Sequence, residues 1–211
     1  MPTIKWNKNW VKNLTDFKRG RLQGSYYGDQ WGDPEHEPML KQVVKQFISP
    51  YIRQQANILE IGPGGGRWTQ YLLACEKLYC VELNPEMFDY LDNRFPEQKH
   101  FSFILTNGSD FPGIPASSVD FVFSFGTLVH LDFSIIREYI KNLSEIMRYN
   151  GNISIQFSNK KKPMANKNPD FSDNSPEQMI KLLELHDFCV TKIDDNLLPH
   201  STIISAQYQG E

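Results

Sequence analysis

Short apolar runs and amphipathic helical patterns alternate along the chain from Asn57 onward. Short apolar stretches rich in β-branched and aromatic residues predict strands, whereas apolar residues spaced three and four apart predict helices. Such alternation is typical of βαβ units, which build a mostly parallel sheet with helices on both faces. The predicted strands are Asn57–Ile61, Lys77–Glu82, Phe101–Leu105, Val119–Phe125, Ile153–Phe157, Phe188–Ile193 and Ser201–Tyr208.

Only the segment DDNLLPH joins the last two predicted strands, with no helix between them. Parallel neighbours need a longer crossover, so we expect these two strands to pair as an antiparallel hairpin. One strand of that pair must then run against the rest of the sheet. The predicted fold is therefore α/β: a three-layer sandwich whose mostly parallel seven-stranded sheet has a reversed final strand and helices on both faces.

The helical patterns lie before and between these strands along the chain, and together with them they suggest the domain limits. We predict Asp33 and Ser175 as N-caps of the first and last helices, and Asn150-Gly151 as the end of the fourth. Residues 1–33 are expected to form an N-terminal arm or cap, and residues 34–211 a single Rossmann-like domain. The predicted helices are Glu35–Ile48, Arg67–Ala74, Pro85–Asn93, Phe133–Tyr149 and Pro176–His186.

Composition excludes several classes of function. A net charge of −3 and a pI of about 6.0 give no strong electrostatic footprint for nucleic acid. The sequence has neither an apolar run of the length of a membrane span nor the apolar segment of a secretory signal, so we expect a cytoplasmic location. The three cysteines form no CxxC pair and no metal-ligand cluster is evident, so we expect a metal-independent reaction.

The sequence ILEIGPGGGRWTQYLL places glycines directly after the first predicted strand. Glycines in such a turn let a ligand approach the backbone, as both dinucleotides and S-adenosylmethionine do. In the dinucleotide pattern GxGxxG the third glycine position falls on Arg67, which is a misfit. The alternative pattern, an acidic residue followed by alternating glycines, fits from Glu60 onward, and the Glu60 carboxylate suits a ligand that carries an ammonium group.

With these motifs the chain resembles the class I S-adenosylmethionine-dependent methyltransferases from about Ile58 to Tyr208. The resemblance implies S-adenosylmethionine as the cofactor and S-adenosylhomocysteine as the product. It also implies that the glycine loop lies along the methionine and ribose of the cofactor. The loop residues implied in cofactor binding are Glu60, Gly62, Pro63, Gly64, Gly66 and Arg67.

Further cofactor contacts are expected after the next three strands, because ligands of open α/β sheets bind at the carboxyl ends of the strands. By the resemblance, Glu82 accepts hydrogen bonds from the ribose hydroxyls and Leu83 packs on the adenine. Asn107 takes the place of the family's adenine-binding Asp, beside Gly108, with Asp110 as the alternative contact. The methionine end is expected to meet Ser124 and Phe125.

Methyl transfer by direct displacement needs an acceptor held in line, and a hydroxyl acceptor also benefits from a general base. His130, after the fourth strand, is the candidate for this base, and His200 is a second candidate near the acceptor. Tyr26, Tyr27 and Trp31 are candidates for a lid or for substrate contact, or for packing of the arm onto the core. Lysines 160–162 suggest either a solvated charge run or an attraction for an anionic acceptor.

These observations predict an enzyme that methylates a small molecule, on a hydroxyl of a sugar or similar metabolite, with no nucleic-acid or membrane partner and an oligomeric state that the sequence leaves open. The alternatives are N-methylation of a small amine or peptide, and a cofactor-binding subunit without transfer activity. An NAD-dependent enzyme is a further alternative, disfavoured by Glu60 and Arg67.

Overall fold

The computed structural model describes residues 12–22 and 24–210, so the first third of the predicted arm, Gln23 and Glu211 lie outside it. Seven strands form one sheet in the order β3-β2-β1-β4-β5-β7-β6. The strands are β1 Asn57–Ile61, β2 Lys77–Glu82, β3 Phe101–Leu105, β4 Val119–Ser124, β5 Met147–Ser158, β6 Phe188–Asp194 and β7 Ser201–Tyr208.

The predicted α/β fold is confirmed, including the reversed strand. β7 pairs antiparallel with both β5 and β6, while the pairs among β1 to β5 are parallel. The hairpin therefore inserts its second strand next to β5 and leaves β6 at the edge.

Helices cover both faces of the sheet. Alternate side chains of a strand point to opposite faces, so the strands are apolar on both sides. Leu59 and Ile61 of β1 lie in the core cluster that includes residues of the helices Phe133–Ile146 and Pro176–Leu185, and Ile58 lies in the cluster of the opposite face with the helix Glu86–Arg94. The helices are α1 Pro38–Val43, α2 Glu86–Arg94, α3 Phe133–Ile146, α4 Pro163–Lys167 and α5 Pro176–Leu185; residues 12–18 are also helical.

Two predicted helices differ from the structure, one in where it begins and the other in whether it forms. The first begins at Pro38, not Glu35, because Asp33 closes a separate turn: its Oδ1 accepts from the Glu35 N–H at 2.8 Å. Its last turn, Val44–Ile48, is π-helical. The helix predicted over Arg67–Ala74 is wrong: only a 3-10 turn, Thr69–Tyr71, forms between the glycine loop and β2.

The fourth predicted helix also ends earlier, at Ile146. Met147 is already extended and pairs with Val119, and the register shifts before Phe121 pairs with Asn152. Asn150, with φ of 62°, therefore lies in an irregular stretch of β5 and does not end a helix. The predicted N-cap of α5 is confirmed, since the Ser175 hydroxyl accepts from the Gln178 N–H at 3.3 Å.

Within residues 12–22 and 24–210, no helix has both the length and the apolar character needed to cross a membrane.

Candidate active site

A cavity of about 790 Å³ opens at the carboxyl edge of the sheet. It lies where β1 and β4 are neighbours, which is the point where the strand order reverses and where ligands bind in open α/β sheets. The ends of β1 to β4 form one side of its wall. The arm, the segment before α3 and the loops after β5 and before β7 form the remainder.

Two glycines offer bare backbone to the cavity. A Cβ atom built on Gly64 or on Gly126 would have no atom within 4 Å, and both residues have positive φ, +55° and +79°. Both line the cavity. A ligand can therefore approach the main chain at these two positions, as the pattern of the glycine loop predicts.

The other glycines of the loop pack against the protein itself. A Cβ on Gly62 would lie 2.0 Å from Thr127 Oγ1, one on Gly65 would lie 2.0 Å from the Tyr27 carbonyl oxygen, and one on Gly66 would lie 2.6 Å from the Phe95 ring. Gly62 and Gly65 still line the cavity, as does Pro63, but Gly66 does not. Gly66 was predicted to contact the cofactor. The structure places Gly66 against α2 and against Phe95, the residue after that helix.

Glu60 also lies behind the loop and away from the cavity wall. It is 2% exposed, and its carboxyl group accepts a hydrogen bond from Thr69 Oγ1 at 2.6 Å. Burial raises the pKa of Glu60 to about 8, against the opposing effect of that hydrogen bond. Leu59 and Ile61 point to the opposite face of the sheet, so Glu60 is directed toward the turn that follows the loop and lies outside the cavity wall.

Glu82 ends β2 and lines the cavity beside Leu83. Its carboxylate accepts from the N–H groups of Leu83 at 2.8 Å, Asn84 at 3.3 Å and Gly64 at 3.4 Å. Burial raises the pKa of Glu82, while these three donors act in the opposite direction. The carboxylate is thus fixed between the glycine loop and the end of β2.

The turn after β3 places Gly108 in the cavity wall and Asn107 outside it. Asp110 holds this turn together, since its Oδ1 accepts from Thr106 Oγ1 and from the Asn107 N–H, both at 2.8 Å. Neither Asn107 nor the alternative Asp110 lines the cavity. Thr106 does, and sequence reasoning missed it.

At the end of β4, Phe125 lines the cavity and Ser124 does not. Ser124 is fully buried and donates its hydroxyl proton to the Ile61 carbonyl at 3.0 Å, so it joins β4 to β1. The Phe125 ring packs against Trp68 with a centroid separation of 4.4 Å.

The arm covers the glycine loop. Tyr27 is 2% exposed and packs edge-on against Trp31, with ring centroids 5.4 Å apart. Arg67 donates to the carbonyls of Trp31 at 2.7 Å and Gly32 at 3.3 Å, so its guanidinium group, though it lines the cavity, holds the arm. Tyr27 and Trp31 line the cavity.

An ion pair adds to this attachment of the arm. Arg94 of α2 lies 3.0 Å from the Asp29 carboxylate and also donates to the Gly65 carbonyl at 3.0 Å. Tyr26 does not line the cavity; its ring lies 4.7 Å from the Arg94 guanidinium carbon instead.

Two buried donors belong to aromatic residues of the cavity wall. Tyr27 OH and Trp68 Nε1 have no hydrogen-bond partner among residues 12–22 and 24–210, and both residues are at least 97% buried. The two atoms are themselves inaccessible to solvent, so they do not face the open cavity. The open backbone at Gly64 and Gly126, beside these aromatic residues, suits a cofactor that has both polar and apolar parts.

The two predicted histidines lie on the other side of the cavity, on either side of Phe171. Ring centroids are 5.3 Å apart for His130 and Phe171, and 5.1 Å apart for Phe171 and His200. His130 Nδ1 lies 2.9 Å from the Asp170 carbonyl, which only accepts, so Nδ1 carries the proton and the lone pair of the neutral ring is on Nε2. Burial lowers the pKa of His130 to about 4.

Sequence reasoning missed further residues of the wall. Gln156 lies in the buried strand β5, and its Oε1 accepts from the Gly126 N–H at 2.7 Å. A polar side chain within the apolar pattern ISIQF was a usable signal, because such a residue needs hydrogen-bond partners. Trp68 and Phe171 carried no such signal. In the described part of the chain, no three His, Cys, Asp or Glu side chains are grouped as metal ligands.

Comparison with known proteins agrees with this geometry. The model of the methyltransferase domain family matches residues 59–155, which span β1 to β5 and the loops around the cavity. A search of curated protein sequences finds no match.

Several solved structures share the fold. An S-adenosylmethionine-dependent methyltransferase from Aquifex aeolicus is 18% identical, with a TM-score of 0.61 over 83% of this chain and 98% of that one. The N-methyltransferase NodS from Bradyrhizobium japonicum is 14% identical, with a TM-score of 0.67 over 83% and 99%. Geranyl diphosphate methyltransferase, solved with S-adenosylmethionine, is 12% identical, with a TM-score of 0.62 over 79% and 83%.

The matched family model, the strand order with its reversed strand and the glycine-lined cavity at the switch point agree with one another. Residues 59–155 therefore match the methyltransferase domain family, and the chain has the fold of S-adenosylmethionine-dependent methyltransferases. These findings support an enzyme whose methyl donor is S-adenosylmethionine.

Proposed function

We propose that this methyltransferase acts on a hydroxyl group of a small molecule, such as a sugar or another metabolite, with His130 as the general base. The observation that carries the proposal is the hydrogen bond from His130 Nδ1 to the Asp170 carbonyl, which fixes the tautomer of a neutral imidazole in the cavity wall. A hydroxyl acceptor is a poor nucleophile unless a base takes its proton, whereas a neutral amine is already nucleophilic.

The cofactor is proposed to occupy the side of the cavity formed by β1 to β4. Glu82 would accept from its ribose hydroxyls and Leu83 would pack on its adenine, with Gly108 nearby. Gly64 and Gly126 would allow contact with the main chain, and the arm would close over the cofactor as a cap. Bound there, S-adenosylmethionine supplies an electrophilic methyl group for direct displacement.

His130 would hold the acceptor oxygen through Nε2 and take its proton as the oxygen is methylated. Its low pKa keeps the ring neutral at physiological pH but also makes it a weaker base than a histidine in solvent, so it would take the proton only as the oxygen becomes acidic on methylation. Positioned bases of this kind contribute about 10²–10⁴-fold to rates.

N-methylation of a small amine or peptide is the second candidate. NodS, whose fold this chain shares, is an N-methyltransferase. The Glu37 carboxylate at the cavity wall is the feature of this chain that would attract an ammonium group.

Transfer of a labelled methyl group from S-adenosylmethionine to a panel of hydroxyl compounds and amines tests the proposal. The site of methylation is read by mass spectrometry and NMR of the product, and the formation of S-adenosylhomocysteine gives the rate. We expect turnover with hydroxyl compounds, abolished or strongly reduced in His130→Asn. Turnover with amines alone would contradict the proposal, and cofactor binding without any turnover would indicate a binding subunit.

A further inference from the structure

The three consecutive lysines at 160–162 have different environments. Lys161 is a surface residue whose side chain is 66% exposed and pairs with Glu177. Lys162 is only 15% exposed in its side chain, so it is not part of a solvated charge run. Its ammonium group donates to the carbonyls of Asp195, of Leu198 at 2.8 Å and of Ser201 at 2.9 Å, and lies 3.2 Å from the Asp195 carboxylate.

These three carbonyls belong to the segment that carries His200 into the cavity. The segment has little regular structure of its own, because it only joins β6 to β7. The His200 carbonyl accepts from the Asn159 N–H at 3.2 Å. Residues that follow β5 therefore donate hydrogen bonds to the segment before, at and after His200. Leu198 and Pro199 of the same segment also line the cavity.

Ser201 is linked to the cofactor side of the cavity as well. Gln156 Nε2 donates to Ser201 Oγ at 2.7 Å, while Gln156 Oε1 accepts from the Gly126 N–H. Gly126 lines the cavity, and a Cβ at this position would have no atom within 4 Å on the side proposed for the cofactor. Lys162 therefore completes a set of hydrogen bonds that fixes His200 relative to the glycine turn after β4.

We propose that Lys162 is a positioning residue: its ammonium group fixes the segment of residues 195–201 so that the His200 imidazole faces the acceptor half of the cavity. The His200 residue lines the cavity and its ring lies 5.1 Å from the Phe171 ring, while its Nδ1 is buried and has no hydrogen-bond partner in the part of the chain that the structure describes. The identity of the molecule in the acceptor half of the cavity rests on the proposed function, whereas the geometry of residues 195–201 does not.

The charge of Lys162 also acts on His200. Burial and the nearby Lys162 ammonium group both lower the pKa of His200. The other charged or titratable groups around this part of the cavity are Asp195, His130 and Asp170. Burial, the larger effect, and the charge of Lys162 therefore both favour the neutral His200 ring, the form that has one donor and one acceptor.

The test compares Lys162→Met with Lys161→Met, a matched control that removes the neighbouring surface lysine. NMR titration of the His200 ring needs no acceptor. We expect the pKa of His200 to rise toward its ordinary value in Lys162→Met, to stay near that of the wild type in Lys162→Arg, which keeps the charge, and to be unchanged in Lys161→Met. An unchanged His200 titration and ring chemical shift in Lys162→Met would overturn the proposal.

Kinetics with an acceptor found in the methyl-transfer panel add a second readout. We expect Lys162→Met to raise the acceptor KM about tenfold or more, with S-adenosylhomocysteine affinity unchanged, because small displacements of positioning groups have effects of this size. Equal KM values for Lys162→Met and Lys161→Met would overturn the positioning role even if methyl transfer itself is found. If no acceptor is methylated, the proposed function fails, and the NMR titration still decides the role of Lys162.

Discussion

His130 differs from a histidine in solvent in two respects that bear on its proposed role. Its Nδ1 proton is committed to the Asp170 carbonyl, and burial lowers its pKa to about 4. Burial favours the neutral ring, and the hydrogen bond, which acts on the pKa in the opposite direction, leaves the lone pair of that neutral ring on Nε2. The loop of residues 168–171 therefore sets the tautomer of His130, and burial sets its protonation state.

Replacing His130 by asparagine tests this role. The asparagine amide can still donate to the Asp170 carbonyl, but it cannot take a proton. We expect turnover to fall by about 10²–10⁴-fold, while the affinity for S-adenosylhomocysteine measured by calorimetry stays within a factor of about two. Wild-type turnover in His130→Asn would leave this residue with a structural role.

The lowered pKa of His130 also predicts a pH dependence of stability. As the pH falls from about 6.5 to about 4, the unfolded chain binds a proton at this residue and the folded chain does not, so the free energy of unfolding decreases. At about 1.4 kcal/mol per pKa unit, the wild type should lose about 2–3 kcal/mol more than His130→Asn over this interval. Denaturant unfolding of both proteins at pH 7 and pH 4.5 measures the difference, and parallel losses would contradict the shift.

At the level of single residues, the structure brings part of the predicted site into the cavity wall and places part of it behind that wall for a physical reason. The motif located the cavity, and Gly64, Glu82, Leu83 and Phe125 do line it. A motif does not show which way a side chain points, so Glu60 and Ser124 were predicted in the wall although hydrogen bonds hold them behind it. Their roles in cofactor binding would be indirect.

Among the elements, the arm contacts the glycine loop in a way that depends on the absence of a side chain at Gly65. A Cβ on Gly65 would lie 2.0 Å from the carbonyl oxygen of Tyr27, and a backbone atom cannot move aside as a flexible side chain can. The arm must then shift, which also disturbs the contacts of Asp29 and Arg67.

Gly65→Ala is therefore expected to loosen the arm without disrupting the sheet. Trypsin cleavage after Arg19 and Arg21 should become faster than in the wild type, and S-adenosylhomocysteine should bind more weakly because its proposed cap is displaced. Far-ultraviolet circular dichroism should show the strands and helices unchanged. Wild-type proteolysis and affinity would mean that the arm does not depend on this contact.

Strands were easier to predict than helices in this chain. The bounds of β1, β2, β3 and β7 are those predicted, because each is a short apolar run with polar or turn residues at its ends. The segment after the glycine loop has a helical pattern, but Trp68 and Leu72 are drawn into the core and β2 begins at Lys77, so only one 3-10 turn forms. Tertiary packing overrode the local pattern there.

On the scale of the whole molecule, the topology brings all these groups to one edge. Six strands run in one direction and end at the same side, and the reversed strand begins at that side, so His200 before β7 meets the loops after β1 to β5. The sequence predicted the reversed strand because no helical pattern lies between the last two predicted strands. It did not predict the polar contacts of Gln156 and Lys162 that join the loops, because these connect residues far apart in the chain.

The measurement that tests the account most directly is calorimetric titration of S-adenosylhomocysteine into the wild type, Gly64→Asn and Gly113→Asn. Asparagine tolerates positive φ, and a Cβ at either glycine has no atom within 4 Å, but only Gly64 lines the cavity. We predict that the wild type and Gly113→Asn bind equally and that Gly64→Asn, folded as judged by circular dichroism, loses measurable binding. Equal binding by all three proteins would contradict the placement of the cofactor on the glycine loop.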